Sequence, residues 1–132
     1  MTTATHVTFD DTTPAGNRVS IYGATWKAQT FTTATPFSCR GVRIRVARLG
    51  SPGTVTVSLR AVSGADPTGS DLASNTFDGN ALVTIVPVTN SELKEIIFTT
   101  PVTLAASTLY AIVVRATSGD VDNRVDWQYD NS

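Results

Sequence analysis

The sequence has one cysteine, Cys39, and one histidine, His6, and each scarcity closes a chemical route. A lone thiol forms no disulfide within the chain, so nothing requires an oxidising compartment, and a buried, inert Cys39 is the expected state. A zinc site needs several His or Cys ligands, which this composition does not supply. A Ser-His-Asp or Cys-His arrangement would have to recruit His6 from a threonine-rich N-terminal arm, the least anchored stretch of the chain. Charge is scarce as well: Asp, Glu, Lys and Arg make up 16% of the 132 residues and leave a formal net charge of −1. A general nucleic-acid binder shows a basic excess, and none is present. There is no glycine-rich phosphate cradle. No apolar run approaches the length that crosses a bilayer, and residues 1–9 lack the basic and apolar regions of an export signal. These absences predict a soluble, non-catalytic chain with no cofactor, no nucleic-acid partner and no membrane partner.

What is present is a period of two. Val42, Ile44 and Val46 alternate with Arg43, Arg45 and Ala47, which is a strand with one dry and one wet face. Gly50, Ser51, Pro52 and Gly53 supply a turn, and Val55, Val57, Leu59 and Ala61 then alternate with Thr54, Thr56, Ser58 and Arg60. The stretch predicts a β-hairpin in which Val46 faces Val57, Ile44 faces Leu59 and Val42 faces Ala61. The same register sets Arg43 against Arg60, with Arg45 beside Ser58. Like charges directly opposite cost stability, so solvation or an acidic patch on a partner is expected to offset Arg43, Arg45 and Arg60.

No stretch longer than a turn carries a 3.6-residue apolar repeat. Further strands are expected near residues 6–9, 18–22, 26–32, 72–77, 82–88 and 93–99. Residues 109–116 are apolar on both faces, as in a central strand covered on each side, one cover being the opposing sheet and the other a neighbouring subunit or a long loop. Val125, Trp127 and Tyr129 alternate in a last strand, while 62–70 and 101–107 read as connections. Short strands at near-regular spacing predict an all-β, antiparallel two-sheet β-sandwich of jelly-roll type. The expected organisation is an arm and loop over residues 1–17, with a single domain over 18–132.

Candidate sites are few. Asp66, Asp71, Glu92 and Glu95 are available as a carboxylate pair for glycoside hydrolysis, but their spacing places no two of them together. The best cation candidate is the loop with Asp120, Asp122 and Asn123, where oxygen ligands two residues apart suit Ca2+. It lacks the glycine and glutamate of an EF-hand loop, and Asp, Asn and Gly are what any tight turn prefers, so a turn is the expected outcome. For a glycan the candidates are Trp26, Trp127 and Tyr129, with Tyr22 a further ring and Gln128 beside them to read hydroxyls. A tryptophan on an alternating strand is more often core.

The set Trp26, Ala28, Gln29, Thr30, Phe31 and Thr32, followed by 42–46, the Gly-Ser-Pro-Gly turn, 55–59, Asp66-Pro67-Thr68-Gly69 with Leu72-Ala73-Ser74, and Tyr110-Ala111-Ile112-Val113, resembles the choice-of-anchor R type domain. The resemblance covers about residues 26–127. Related domains occur as β-sandwiches in phage virion proteins and bacterial surface proteins. It implies a virion structural protein: a lone copy is similar in organisation to capsid decoration (cement) proteins, many of which are trimeric jelly rolls. The implied partners are copies of itself in a trimer and a phage capsid or tail protein. The implied location is the virion, after assembly in the host cytoplasm. The alternative is a carbohydrate-binding module or tail adhesin component that recognises a surface glycan.

Overall fold

The computed structural model describes residues 6–8, 18–64, 66–86 and 90–128, with side chains from 18 onward. The expectations placed on the arm before His6 and on Tyr129 lie outside the described residues.

Four antiparallel pairings set the topology. Arg18–Ile21 (β2) pairs with Arg124–Gln128 (β9), Lys27–Thr32 (β3) with Leu109–Arg115 (β8), Phe37–Leu49 (β4) with Glu92–Leu104 (β7), and Thr54–Ser63 (β5) with Asp66–Asp78 (β6). Early strands pair with late ones, so the chain forms one long ribbon doubled back between β5 and β6. Pairing of β4 with β9 and of β5 with β8 rolls that ribbon into two sheets. The front sheet runs β7-β4-β9-β2, the back sheet β3-β8-β5-β6, and a short strand, His6–Thr8 (β1), joins β4 in parallel at Gly41 to Arg43. This is the two-sheet jelly-roll sandwich. Because β1 belongs to the front sheet, part of the expected N-terminal arm is built into the domain.

The sheets meet through the alternating aliphatics. Val42, Ile44 and Val46 from β4, Val55, Val57 and Leu59 from β5, and Tyr110, Ile112 and Val114 from β8 form one buried cluster with Ile21, Val125 and Trp127. Cys39 is fully buried in the same cluster. Its Sγ donates to the Gly41 carbonyl at 3.5 Å, and burial pushes the thiol pKa up.

The hairpin expected from the sequence does not form. β4 lies in the front sheet and β5 in the back sheet, so Gly50 to Gly53 is an arch between layers and not a turn within one. Val46, Val57, Ile44 and Leu59 still share one buried cluster, but from opposite sheets. Alternation says that two strands each have a dry face. It does not say whether those faces lie side by side or opposed. The four-residue link is long enough to cross the roughly 10 Å between packed sheets. It is held at both shoulders: Ser51 N donates to Asn123 Oδ1 at 2.9 Å, and Gly53 N donates to Asn80 Oδ1 at 3.0 Å. Gly50 and Gly53 take φ of 62° and 78°, the left-handed region glycine tolerates.

The pairing error also removes the charge conflict. Arg43 stands opposite Glu95, and its Nε donates to Glu95 Oε2 at 3.1 Å. Residues 82–88 make no strand among the described positions; Gly79–Ala81 is a 3-10 turn, and Thr84 only bridges to Arg48. Conversely, β6 begins at Asp66 and β7 continues through Pro101 to Leu104, so the connections expected at 62–70 and 101–107 are largely strand. Both are outer strands of their sheets, where proline is tolerated. They close one side of the sandwich together: Asn75 Nδ2 donates to the Ile97 carbonyl at 2.7 Å, and Thr99 Oγ1 to the Ser74 carbonyl at 3.5 Å.

Gly41 shows how tight the β4–β7 pairing is, because a Cβ there would lie 2.3 Å from the Ile96 carbonyl oxygen. Gly41→Ala is therefore expected to cost about 1–3 kcal/mol through backbone displacement. Urea unfolding that placed the variant level with the parent would show that the strand gives way freely.

Candidate functional site

The outer face of the back sheet gathers the charged and aromatic side chains that alternation throws outward. Trp26 directly precedes β3, Arg115 ends β8, and Arg60 lies on β5 opposite Ala111. Asp71 comes from a detour in β6. Leu59 pairs with Ala73 and Ala61 with Thr68, so residues 69–72 bulge opposite the single residue Arg60. Gly69, at φ 70°, permits the excursion. A bulge of this kind re-aims a side chain, and here it carries the Asp71 carboxylate onto both arginines.

The contacts are specific. Arg115 Nη2 donates to Asp71 Oδ2 at 2.7 Å and its Nη1 to Oδ1 at 3.3 Å, a two-pronged grip, while Arg60 Nε donates to Oδ1 at 2.8 Å. Arg115 Nη1 also reaches Ser58 Oγ at 3.4 Å. Both guanidinium groups lie over the Trp26 ring, at 4.9 Å for Arg115 and 5.5 Å for Arg60, within cation–π range. Side chains of Asp71, Arg60 and Arg115 keep only 22%, 19% and 18% of their surface in water. Hydrogen bonds from Arg115, and then from Arg60 and Ser58, hold the Asp71 carboxyl well below the usual carboxylate range, against the opposing effect of burial.

This cluster roofs a strand that is dry on both sides. Ala111 and Val113 point outward from β8 yet are buried. The second cover expected from a neighbouring subunit or a loop is thus the chain's own set of side chains. Trp26 remains 44% exposed. Beside it a shallow recess of about 220 Å3 is lined by Trp26, Lys27, Ala28, Arg60, Pro67 and Val113.

The other glycan candidates are placed differently. Trp127 is 3% exposed and packs in the core, and Gln128 is buried on the outer side of the front sheet, where its Oε1 accepts from Ser91 Oγ at 3.1 Å. Neither presents a surface to a sugar. A second recess, of about 210 Å3, opens between β2 and β3 at Val19, Lys27, Gln29 and the edge of Trp127.

The three arginines do not share a patch. Arg43 and Arg45 lie on the front sheet opposite Glu95 and Leu93, whereas Arg60 belongs to the back sheet. The Asp120 loop is a closed turn: Asp120 Oδ1 accepts from Asp122 N and from Asn123 Nδ2, both at 2.9 Å, and Asn123 Oδ1 accepts from Ser51 N. Those bonds lower the Asp120 pKa. Two of the candidate Ca2+ ligands, Asp120 through Oδ1 and Asn123 through Oδ1, are thus engaged within the fold, and no group of three metal-ligating His, Cys, Asp or Glu side chains occurs among the described residues. Asp126, on the front sheet, accepts from Ser20 Oγ and Arg124 Nε. Sequence reasoning missed Arg115 as a site residue and offered Asp71 only as one of four carboxylates that spacing does not pair. The available signal was a lone arginine ending an apolar run, in outward phase with Ala111 and Val113.

No protein-family model and no curated protein matches this chain. The resemblance noted above rests on the residues quoted for it.

Asp71→Asn is expected to lower stability at neutral pH by about 1–3 kcal/mol, since two partly buried guanidinium groups lose their acceptor. Because the folded-state pKa lies below the unfolded one, the parent's advantage is full above about pH 4 and shrinks as pH falls through the acid range. Urea midpoints of parent and variant should therefore converge on acidification. Parallel curves down to strong acid would show that the bridge contributes nothing.

Proposed function

We propose that this protein is a non-catalytic virion structural protein, most specifically a phage capsid decoration protein, which works by burying a sheet face against a shell and against copies of itself. The observation that carries this reading is the outer face of β7. Leu93 and Ile97, 41% and 42% exposed, flank Glu95, which pairs with Arg43 of β4. Aliphatic surface framing an exposed ion pair, with Arg45 opposite Leu93, has the composition of a partner surface: an apolar centre with arginine at its margin. The charge-poor sequence and the resemblance to a domain of virion proteins support the same assignment. Asp71 adds to it from the other side, since a carboxylate held ionised by two guanidinium groups suits charge pairing and not proton transfer near neutral pH. A closed symmetric trimer is the expected assembly.

A second reading, a carbohydrate-binding module or tail adhesin component, is favoured by Trp26. Its ring is exposed, immobilised by two stacked arginines and set beside a recess, which is the form of a sugar platform. The two readings use opposite faces of the sandwich and are compatible in one molecule.

Light scattering at micromolar concentration is expected to give three times the 14.0 kDa chain mass. The protein should also sediment with shells built from the major capsid protein of its own genome. Leu93→Lys with Ile97→Lys should yield a monomer that no longer sediments, with the melting temperature nearly unchanged. A monomeric parent that ignores shell and tail proteins alike would remove the first reading.

A further inference from the structure

Arg60 is held in an unusual way. Its Nε donates to Asp71, its plane lies over the Trp26 ring, and among the described residues neither Nη meets an acceptor. The guanidinium is therefore fixed in position with its two-nitrogen end open. That end is the one that grips a carboxylate through parallel N–H···O bonds. Arg115 differs, because both of its terminal nitrogens already engage Asp71. The charge count agrees: two guanidinium groups face one carboxylate, which leaves one positive charge uncompensated at the rim of the recess. Of the other two carboxylates of β6, Asp66 stands opposite Ser63 and Asp78 opposite Thr54, and neither bonds to Arg60 among the described contacts.

Apart from Arg60 and Lys27, the side chains lining the recess are apolar or aromatic. Ala28 and Val113 form its floor, Pro67 one wall and Trp26 another. Its volume of about 220 Å3 lies below that of drug-sized pockets and suits a single ring. An aromatic face and a fixed, open arginine fork beside a ring-sized recess define a ligand with a flat apolar face and a carboxylate.

We infer that the recess beside Trp26 is a subsite for an acidic sugar, a uronate or other carboxylate-bearing pyranose, whose ring stacks on Trp26 while its carboxylate accepts from both Nη groups of Arg60. This inference rests on the second reading above and names its ligand class. Asp71 acts as a positioning residue: it touches no sugar but holds Arg60 by the Nε, so the fork loses no orientation freedom on binding. Among acidic ligands a sugar is favoured over a peptide carboxylate by the Trp26 indole, 44% exposed and lining the recess, since an indole stacks on a pyranose. Added salt should weaken the complex, since one ion pair near the surface carries the selectivity.

The test uses the full chain on an array of uronate- and sialate-bearing glycans with their methyl-esterified counterparts and an acidic peptide, followed by calorimetric titration of the best binder. Esterification should weaken binding about ten-fold or more, and Arg60→Lys, which keeps the charge but lacks the fork, should do the same with the melting temperature unchanged. Trp26→Phe should weaken acid and ester together. Equal binding of acid and ester that still depends on Trp26 would overturn the acidic-sugar inference and leave the glycan reading standing. No glycan bound at all would remove both, and an acidic peptide bound as tightly as the sugars would overturn the sugar assignment alone.

Discussion

Ile44, Val46, Val57 and Leu59 are fully buried where the two sheets meet, and the placement of every other group follows from having to cover both dry faces at once. The rolled ribbon achieves this by sending consecutive strands to opposite layers. β4 goes to the front and β5 to the back, and each finds its in-sheet partners far away in sequence. The Gly50 to Gly53 arch is thus a corner of the whole molecule. Asn123, from the β8–β9 connection, and Asn80, from the 3-10 turn, brace it. Asn123, which read as a cation ligand, is a brace of that corner, and Asp120 holds Asn123 in turn.

Burying one face of each strand leaves two outer faces, and the chain treats them differently. On the back sheet Ala111 and Val113 also turn apolar surface outward, which β8 tolerates because Trp26, Arg60 and Arg115 lie across it. On the front sheet Gln128 and Asp126 occupy the corresponding outward positions of β9, buried and hydrogen-bonded to Ser91 and to Ser20 and Arg124. Arg18 crosses the same face to donate to the Asn90 carbonyl at 3.0 Å. The exposed aliphatics of β7 lie beyond this cover. One face is therefore sealed by a stacked cation–aromatic layer and the other by a polar network with an apolar margin.

The class of fold was legible because alternation is a local property. Val42 to Val46, Val55 to Leu59 and the two-sided run at 109–116 each announce a strand and its dry side without any knowledge of partners. Partnering was not legible, because it depends on where the chain goes after each strand. The glycine-proline turn after Leu49 fits a hairpin and an arch equally well. The site was half legible: Trp26 stood out as an aromatic beside polar residues, and Arg60 as a charge needing compensation. Its compensating carboxylate did not, because Asp71 reaches Arg60 only through a bulge, and Asp, Gly and Pro around it read as turn chemistry. Trp127 shows the converse. Its neighbours Asp126 and Gln128 give it the look of a sugar site, and only the register with Val19 and Val46 reveals that it points inward.

Covering β8 from within the chain changes where a partner can act. Had Ala111 and Val113 been left bare, the back sheet would have been the apolar surface that a second copy must bury, and assembly would have been needed for stability. Trp26 and the two arginines remove that need, and Asp71 fixes them so that the cover does not peel away. What remains at this cluster is a cationic and aromatic surface, with Leu72 of the β6 bulge exposed beside it, and it has the form proposed above for a small charged ligand. Among the regular strands, Leu93 and Ile97 of β7 keep aliphatic surface in water on the front sheet, and Leu72 in the β6 bulge does so on the back. In the readings proposed above, the same four side chains leave assembly to the front of the sandwich and recognition to the back. Freeing either arginine from Asp71 would weaken that separation, because the guanidinium would be left to swing off the indole and uncover Val113.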